Sequence, residues 1–337
     1  MSQPKNLMKF ATIVLILLAI FLGNIASAAN SAHETISSYG VIAAKKMIVG
    51  VDYWAGMSKS HFLNRDLPFL KEAGIRMLRL EFGEWSLDNL ATLIPEIKSQ
   101  GFEVLGLLIR TDLVNDIDAW GSWVYDVVST FKDKVKVWEI WNEPNWNTGF
   151  GAPGDPVKYT EFLKRAYIKA KQADPDCVVL GGSILGTDNA GLNFLRGIYE
   201  NGAKDYMDAL SYHPYCTTVS PLYPHETRTG KAFWKLEWVK NIMAEYGDGN
   251  KKIWITEIGW ATNGTNSVTE EQQALYINQA LNLAKSWGWV EAFIIYNWMD
   301  GGGFYFGLTR TRYNPPYTHE NFCKPSFFAV KNFTSLS

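Results

Sequence analysis

Eight short runs rich in Val, Ile, Leu and aromatic residues recur along the chain, at 48–54, 75–82, 103–109, 135–143, 177–183, 207–215, 252–260 and 290–298. Their starts lie 27 to 45 residues apart, enough for a strand, a loop, a helix and a return. Helix-like segments fall between them, among them NRDLPFLKEAG, PVKYTEFLKRAYIKAKQA, KAFWKLEWVKNIMAEYG and TEEQQALYINQALNLAKSWG. In the last, Thr269 and Gln272 are spaced for a reciprocal capping box, and Gly288 is placed to stop the helix in a left-handed conformation. No Gly-x-Gly-x-x-Gly follows the first run, which speaks against a dinucleotide fold. Eight βα units that close on themselves leave no sheet edge, so the expected fold is α/β, a (β/α)8 (TIM) barrel. In that architecture the C-terminal ends of the strands form one rim, and the residues on it define the chemistry.

The chain opens with Lys5 and Lys9, an apolar run to Gly23, and Ala26 and Ala28 in a small-x-small arrangement. Residues 1–28 therefore read as a secretion signal, which predicts a secreted or periplasmic protein without stable membrane association after cleavage. Residues 29–337 read as a single barrel domain, with 29–47 a short lead-in. A formal charge of -2, with no basic run interleaved with aromatics, excludes nucleic acid as the expected partner. Three cysteines rule out a disulfide framework. In an exported chain Cys216 and Cys323, both in loops at one end of the barrel, are expected to pair.

At the end of the fourth run, Trp138-Glu139-Ile140-Trp141-Asn142-Glu143-Pro144-Asn145 sets a carboxylate beside an amide, and at the seventh Ile255-Thr256-Glu257-Ile258-Gly259-Trp260 sets another at matching depth. Strand alternation puts Glu139, Trp141 and Glu143 on one face, and Ile253, Ile255 and Glu257 on one face. If both faces point inward, Glu143 and Glu257 meet across the barrel mouth. Two carboxyl groups about 5 to 5.5 Å apart can cleave a glycoside by double displacement, one attacking C1 while the other protonates the departing oxygen. Glu143 is the expected acid/base and Glu257 the expected nucleophile. An acid needs its proton, which apolar surroundings and a neighbouring carboxylate favour.

Other rim residues fit this chemistry. Arg79 is placed to donate to Glu257, or else to pair with Glu81 or Glu139. Asn142 can orient a sugar hydroxyl; Tyr215 can hydrogen-bond Glu257; and His213 can contact the sugar or the acid/base, unless it is a structural histidine. Trp298 can form the floor of the sugar site, with Trp54, Trp85, Trp146 and Trp260 as further stacking surfaces. This gives a use to part of an aromatic content of 14%, although core packing claims such rings as readily. The five histidines offer no metal-binding spacing, so neither a metal nor another cofactor is expected.

Together these rim residues resemble the retaining glycoside hydrolases of the large barrel clan with acid/base and nucleophile on strands four and seven. Asn142-Glu143-Pro144 is similar to the Asn-Glu-Pro signature of that clan, and the Ile-Thr-Glu-Ile-Gly-Trp stretch is similar to its nucleophile motif. Within the clan, Trp-Glu-Ile-Trp-Asn-Glu-Pro-Asn and Ser-Tyr-His-Pro-Tyr resemble family 39 first, with its exopolysaccharide-cleaving members and xylosidases, and family 5 next. The resemblance implies hydrolysis of a β-linked polysaccharide or oligosaccharide with retention at the anomeric carbon. Transglycosylation by the same residues, or a carbohydrate-binding barrel without catalysis, are the alternatives.

Overall fold

Strands β1 (Ile48–Asp52), β2 (Met77–Phe82), β3 (Glu103–Leu108), β4 (Val137–Ile140), β5 (Val178–Leu185), β6 (Ala209–His213), β7 (Ile253–Ile258) and β8 (Val290–Ile295) pair in parallel in chain order. β8 also pairs with β1, so the sheet closes into a barrel. The computed structural model describes residues 46–146, 149–151, 153–311 and 314–336; the expected signal at 1–28 lies outside the described residues. Around the sheet run α1 (Leu67–Glu72), α2 (Leu87–Ser99), α3 (Ile117–Phe131), α4 (Pro156–Ala173), α5 (Asn189–Glu200), α6 (Leu236–Glu245), α7 (Glu270–Trp287) and α8 (Pro325–Leu336). The expected (β/α)8 architecture is therefore present, with each apolar run supplying one strand.

Parallel strands are covered on both faces, which is why these runs are almost continuously apolar rather than alternating. Inside the barrel, Met77, Leu105, Leu180, Ala209, Trp254, Ala292 and Ile294 form an apolar plug. The outward strand residues pack with the helices into a second, larger core. Gly106 marks a close approach within it: a Cβ there would lie 2.5 Å from the Trp138 ring, which packs edge-on against Phe82 at 5.0 Å between centroids. The capping residues act as their spacing predicts. Thr269 Oγ1 accepts from Gln272 N at 3.1 Å and Gln272 Oε1 accepts from Thr269 N at 2.9 Å, and Gly288 ends α7 at φ 67°. Among the described residues no helix is long and apolar enough to cross a membrane.

The expected Cys216–Cys323 bridge is absent: both thiols are free and buried, as is Cys177. Cys216 turns its Sγ onto the carbonyl of Val219 at 3.4 Å in the loop after β6. Cys323 instead follows β8, where its backbone bridges to Thr309.

Candidate active site

The apolar plug is overlaid by a charged layer in which Arg79 is the hub. Met77, Arg79 and Glu81 alternate inward along β2, and Arg79 reaches four acceptors. Its Nε donates to Glu139 Oε2 at 2.7 Å, Nη1 to Asp52 Oδ2 at 2.5 Å and to Glu257 Oε1 at 2.7 Å, and Nη2 to Asn142 Oδ1 at 2.9 Å. Of the three pairings that the sequence left open for Arg79, those with Glu257 and Glu139 are thus made at once, and among the described residues the one with Glu81 is not. Burial alone would pull the guanidinium down, but Glu139, Glu257 and Asp52 outweigh it and hold it well above its usual value. Burial pushes Glu139 up, yet Arg79 and His213 overcome this and leave it below the usual carboxylate range.

Simple alternation does not deliver the two rim glutamates. β4 stops at Ile140, and Trp141 and Glu143 take left-handed backbone conformations, φ 69° and 46°, each costing about 1–3 kcal/mol in a side-chain-bearing residue. Trp141 therefore does not share a face with Glu139. Its ring turns out among Trp120, Phe150 and Phe162 of the helix layer, an apolar burial that offsets the strain. Glu143 is then aimed over the mouth, and its N–H is held by Ser183 O at 3.0 Å. Asn145 fixes the turn by mimicking a strand against Leu185, with its amide nitrogen donating to Leu185 O and its oxygen accepting from Leu185 N, both at 2.9 Å.

On β7 the expectation of one inward face also fails. Ile253 and Ile255 belong to the outer core and Trp254 to the plug. The register between β7 and β8 then slips between Ile255 and Ile258, and this irregularity swings Glu257 inward after all.

Three groups hold the pair. Tyr215 donates its hydroxyl to Glu257 Oε2 at 2.9 Å; burial, with Glu257 and Glu143 nearby, pushes the phenol well above its usual value, so it remains a donor. His213 Nδ1 lies 2.9 Å from Glu143 Oε1 and 3.7 Å from Glu257 Oε2, with its Nε2 at 3.3 Å from Ser183 Oγ. Burial lowers its affinity for a proton, but Glu257 and Glu143 more than compensate and the imidazole is raised. One ligand atom each from Glu143, His213 and Glu257 lie within 4.8 Å of one another. Such a trio could in principle grip a cation, but the fixed positive charge of Arg79 on Glu257 opposes one there.

Beside Glu257 opens a cavity of about 580 Å³ lined by Asp52, Trp54, Arg79, Glu81, Trp85, Asn142, Asn297, Trp298 and Phe304 among others. Trp54 and Trp85 are 62% and 57% exposed on it, the condition for stacking on a sugar face. Trp298 is only 2% exposed, yet its indole N–H has no partner among the described residues. Asn142 has its oxygen committed to Arg79, so its NH2 group is the part left for a hydroxyl. Trp146 is 64% exposed and is not among the residues lining this cavity. Trp260 is no stacking surface: it is buried, with its N–H on Val219 O at 3.0 Å and its ring against Tyr276.

Sequence reasoning missed Asp52, weighed Glu139 and Glu81 only as alternative partners of Arg79, and missed Asn297. A signal existed for the first two, since Asp52 ends an otherwise apolar strand and Glu139 and Arg79 are isolated opposite charges inside buried ones. Burial, eased by Arg79 and reinforced by Glu257, pushes Asp52 up to about 6.

Residues 114–303 match the family described as "Glycosyl hydrolase catalytic core". A family 39 glycoside hydrolase from the gut symbiont Bacteroides cellulosilyticus WH2 superposes with a TM-score of 0.68 at 20% identity, over 87% of this chain and 64% of that one. A monomeric beta-xylosidase from Caulobacter crescentus CB15 gives 0.61 at 16% identity, over 86% and 67%. Endo-1,4-beta-xylanase B of Thermotoga neapolitana is 23% identical over 233 residues, 62% of this chain and 59% of that enzyme. The chain thus spans less than two thirds of the xylanase and of the family 39 enzyme, and the structural likenesses establish the shared barrel.

Proposed function

The chain belongs to the glycosyl hydrolase catalytic core family, and from that premise we propose that it is a retaining β-glycosidase acting on a polysaccharide or oligosaccharide. The observation that carries the reading is the approach of Glu143 and Glu257 from the ends of β4 and β7, with oxygens within 4.8 Å. An inverting pair stands about 6.5–9.5 Å apart to admit a water, and a retaining pair about 5–5.5 Å. The spacing supports retention.

In the first step a Glu257 oxygen attacks C1 of the sugar as the C1–O bond to the leaving group breaks, and Glu143 gives its proton to the departing oxygen. Arg79 and Tyr215 fix one Glu257 oxygen each, so the nucleophile is oriented before the substrate arrives. In the second step Glu143, now a carboxylate, takes a proton from water as that water attacks C1. The ester to Glu257 breaks and the carboxylate is regenerated. Two inversions leave the anomeric configuration unchanged. Export, supported by the first 28 residues, would bring the enzyme to an extracellular or periplasmic glycan.

Product analysis by NMR immediately after cleavage should find the β-anomer first; initial release of the α-anomer would sink the two-step scheme. For Glu143→Ala, an activated aryl leaving group needs no proton, so glycosylation should fall by only about tenfold, against about a thousandfold for an alkyl leaving group. Equal losses for both leaving groups, read from a series of glycosides, would remove Glu143 from the acid role. Tight binding across a glycan panel with no turnover would favour a binding barrel instead.

A further inference from the structure

The cavity beside Glu257 carries a charge imbalance that double displacement does not use. Asp52 and Glu81, inward at the ends of β1 and β2, line it together with Glu257. The cation among them, Arg79, is consumed by Glu139, Asp52, Glu257 and Asn142. Asp300, on the same wall, is neutralised by Lys324 at 2.7 Å. Asp52 gives only Oδ2 to Arg79, and among the described residues no hydrogen bond reaches its Oδ1. Among the described residues the Glu81 carboxylate receives only the Trp85 indole N–H, at 3.2 Å.

The imbalance continues outward. A second cavity of about 520 Å³ shares Glu81 and Trp85 with the first and adds Glu84 and Asp112. Its cation, Arg110, is gripped by both Asp112 oxygens at 2.8 and 2.6 Å. Among the described residues that line the two cavities carboxylates outnumber cations, and both cations, Arg79 and Arg110, already face carboxylates. That a ligand belongs here is indicated independently by Trp54 and Trp85, large rings that line the cavity and stay 62% and 57% exposed. Their ring faces are free to stack on a sugar.

Resting on the glycosidase reading, we infer that this arm of the cleft is an electrostatic filter that favours sugar units bearing a protonated amine and turns away uronates. An ammonium would make charge-assisted hydrogen bonds to Asp52 and Glu81. A uronate carboxylate would face like charges with no cation to neutralise it, while a neutral sugar gains neither effect.

The test uses Glu143→Gln, which keeps every carboxylate of the cavity, and calorimetry near pH 7, about midway between Asp52 at about 6 and an α-amino group at about 8. Three matched β-linked tetrasaccharides are compared, built from glucose, glucosamine or glucuronate. Affinity should fall in the order amine, neutral, uronate, by about tenfold or more from first to last, and the spread should shrink as salt is raised. Adding Asp52→Asn and Glu81→Gln should compress it to about threefold or less. A uronate bound as tightly as the amine, a spread indifferent to salt, a spread surviving both substitutions, or no binding of any of the three overturns the proposal. If the multiple variant fails to fold, the salt series on Glu143→Gln alone decides. Turnover by the unaltered protein is read separately on aryl β-glycosides, so its absence would remove the glycosidase reading while the charge order still stands or falls by binding.

Discussion

Replacing Glu257 by Ala should lower turnover by about four to six orders of magnitude and leave a folded barrel. The chemical loss is complete because no other carboxylate can reach the same face of C1. Glu143 approaches from β4, and Asp52 and Glu139 are bound to Arg79. The fold should survive because those two acids still satisfy the guanidinium once Glu257 is gone, so no buried charge is stranded. Azide gives the sharper reading. In Glu257→Ala it fits the space the side chain left and attacks C1 directly, yielding a glycosyl azide of inverted configuration. In Glu143→Ala it intercepts the ester on Glu257 and yields the retained azide. Opposite anomers from the two variants would assign both roles in one experiment; the same anomer from both, or a Glu257→Ala protein keeping more than about 1% of its turnover, would refute them.

The barrel was legible because each strand is buried on both faces and so writes itself as an apolar run, and because a box such as Thr269 and Gln272 signals a helix start locally. The glutamate pair was legible as residue types at strand ends, but the means by which it assembles was not. Period-two alternation assigns Trp141 and Ile255 to the inner face, whereas a left-handed kink sends Trp141 to the helices and a register slip admits Glu257 in place of its neighbours. Both departures depend on partners far along the chain: the kink on the packing of Trp141 against Trp120 and Phe162 and of Glu143 on Ser183, the slip on the pairing of β7 with β8. No window around residue 141 or 257 contains them. Trp260 misleads for a related reason, since the acceptor that draws its indole into the core is a carbonyl 41 residues away.

Arg79 should be the most costly single residue to remove for stability as well as activity. Glu139 is wholly buried and Arg79 nearly so, so Arg79→Ala leaves a carboxylate at the centre of the barrel without its cation, a loss of about 3–5 kcal/mol. The pH dependence follows from the depressed Glu139. A carboxyl group held below its unfolded value contributes stability above that value, near 4.5, and loses it as the pH falls through the folded value. The deficit of Arg79→Ala should therefore be greatest at neutral pH and shrink towards acid, where Glu139 takes up a proton in the variant at little cost. Replacing both partners, Arg79→Met with Glu139→Leu, should recover most of the stability, because the buried charge is gone along with its counterion. It should recover none of the activity, because Glu257 Oε1 and Asn142 still lack their donor. Urea denaturation of the three proteins at acid and neutral pH, alongside kcat on an aryl glycoside, separates the two roles. Equal midpoints for Arg79→Ala and the parent at neutral pH would show that the cluster does not hold the barrel together, and a double variant as active as the parent would show that Arg79 does not position the nucleophile.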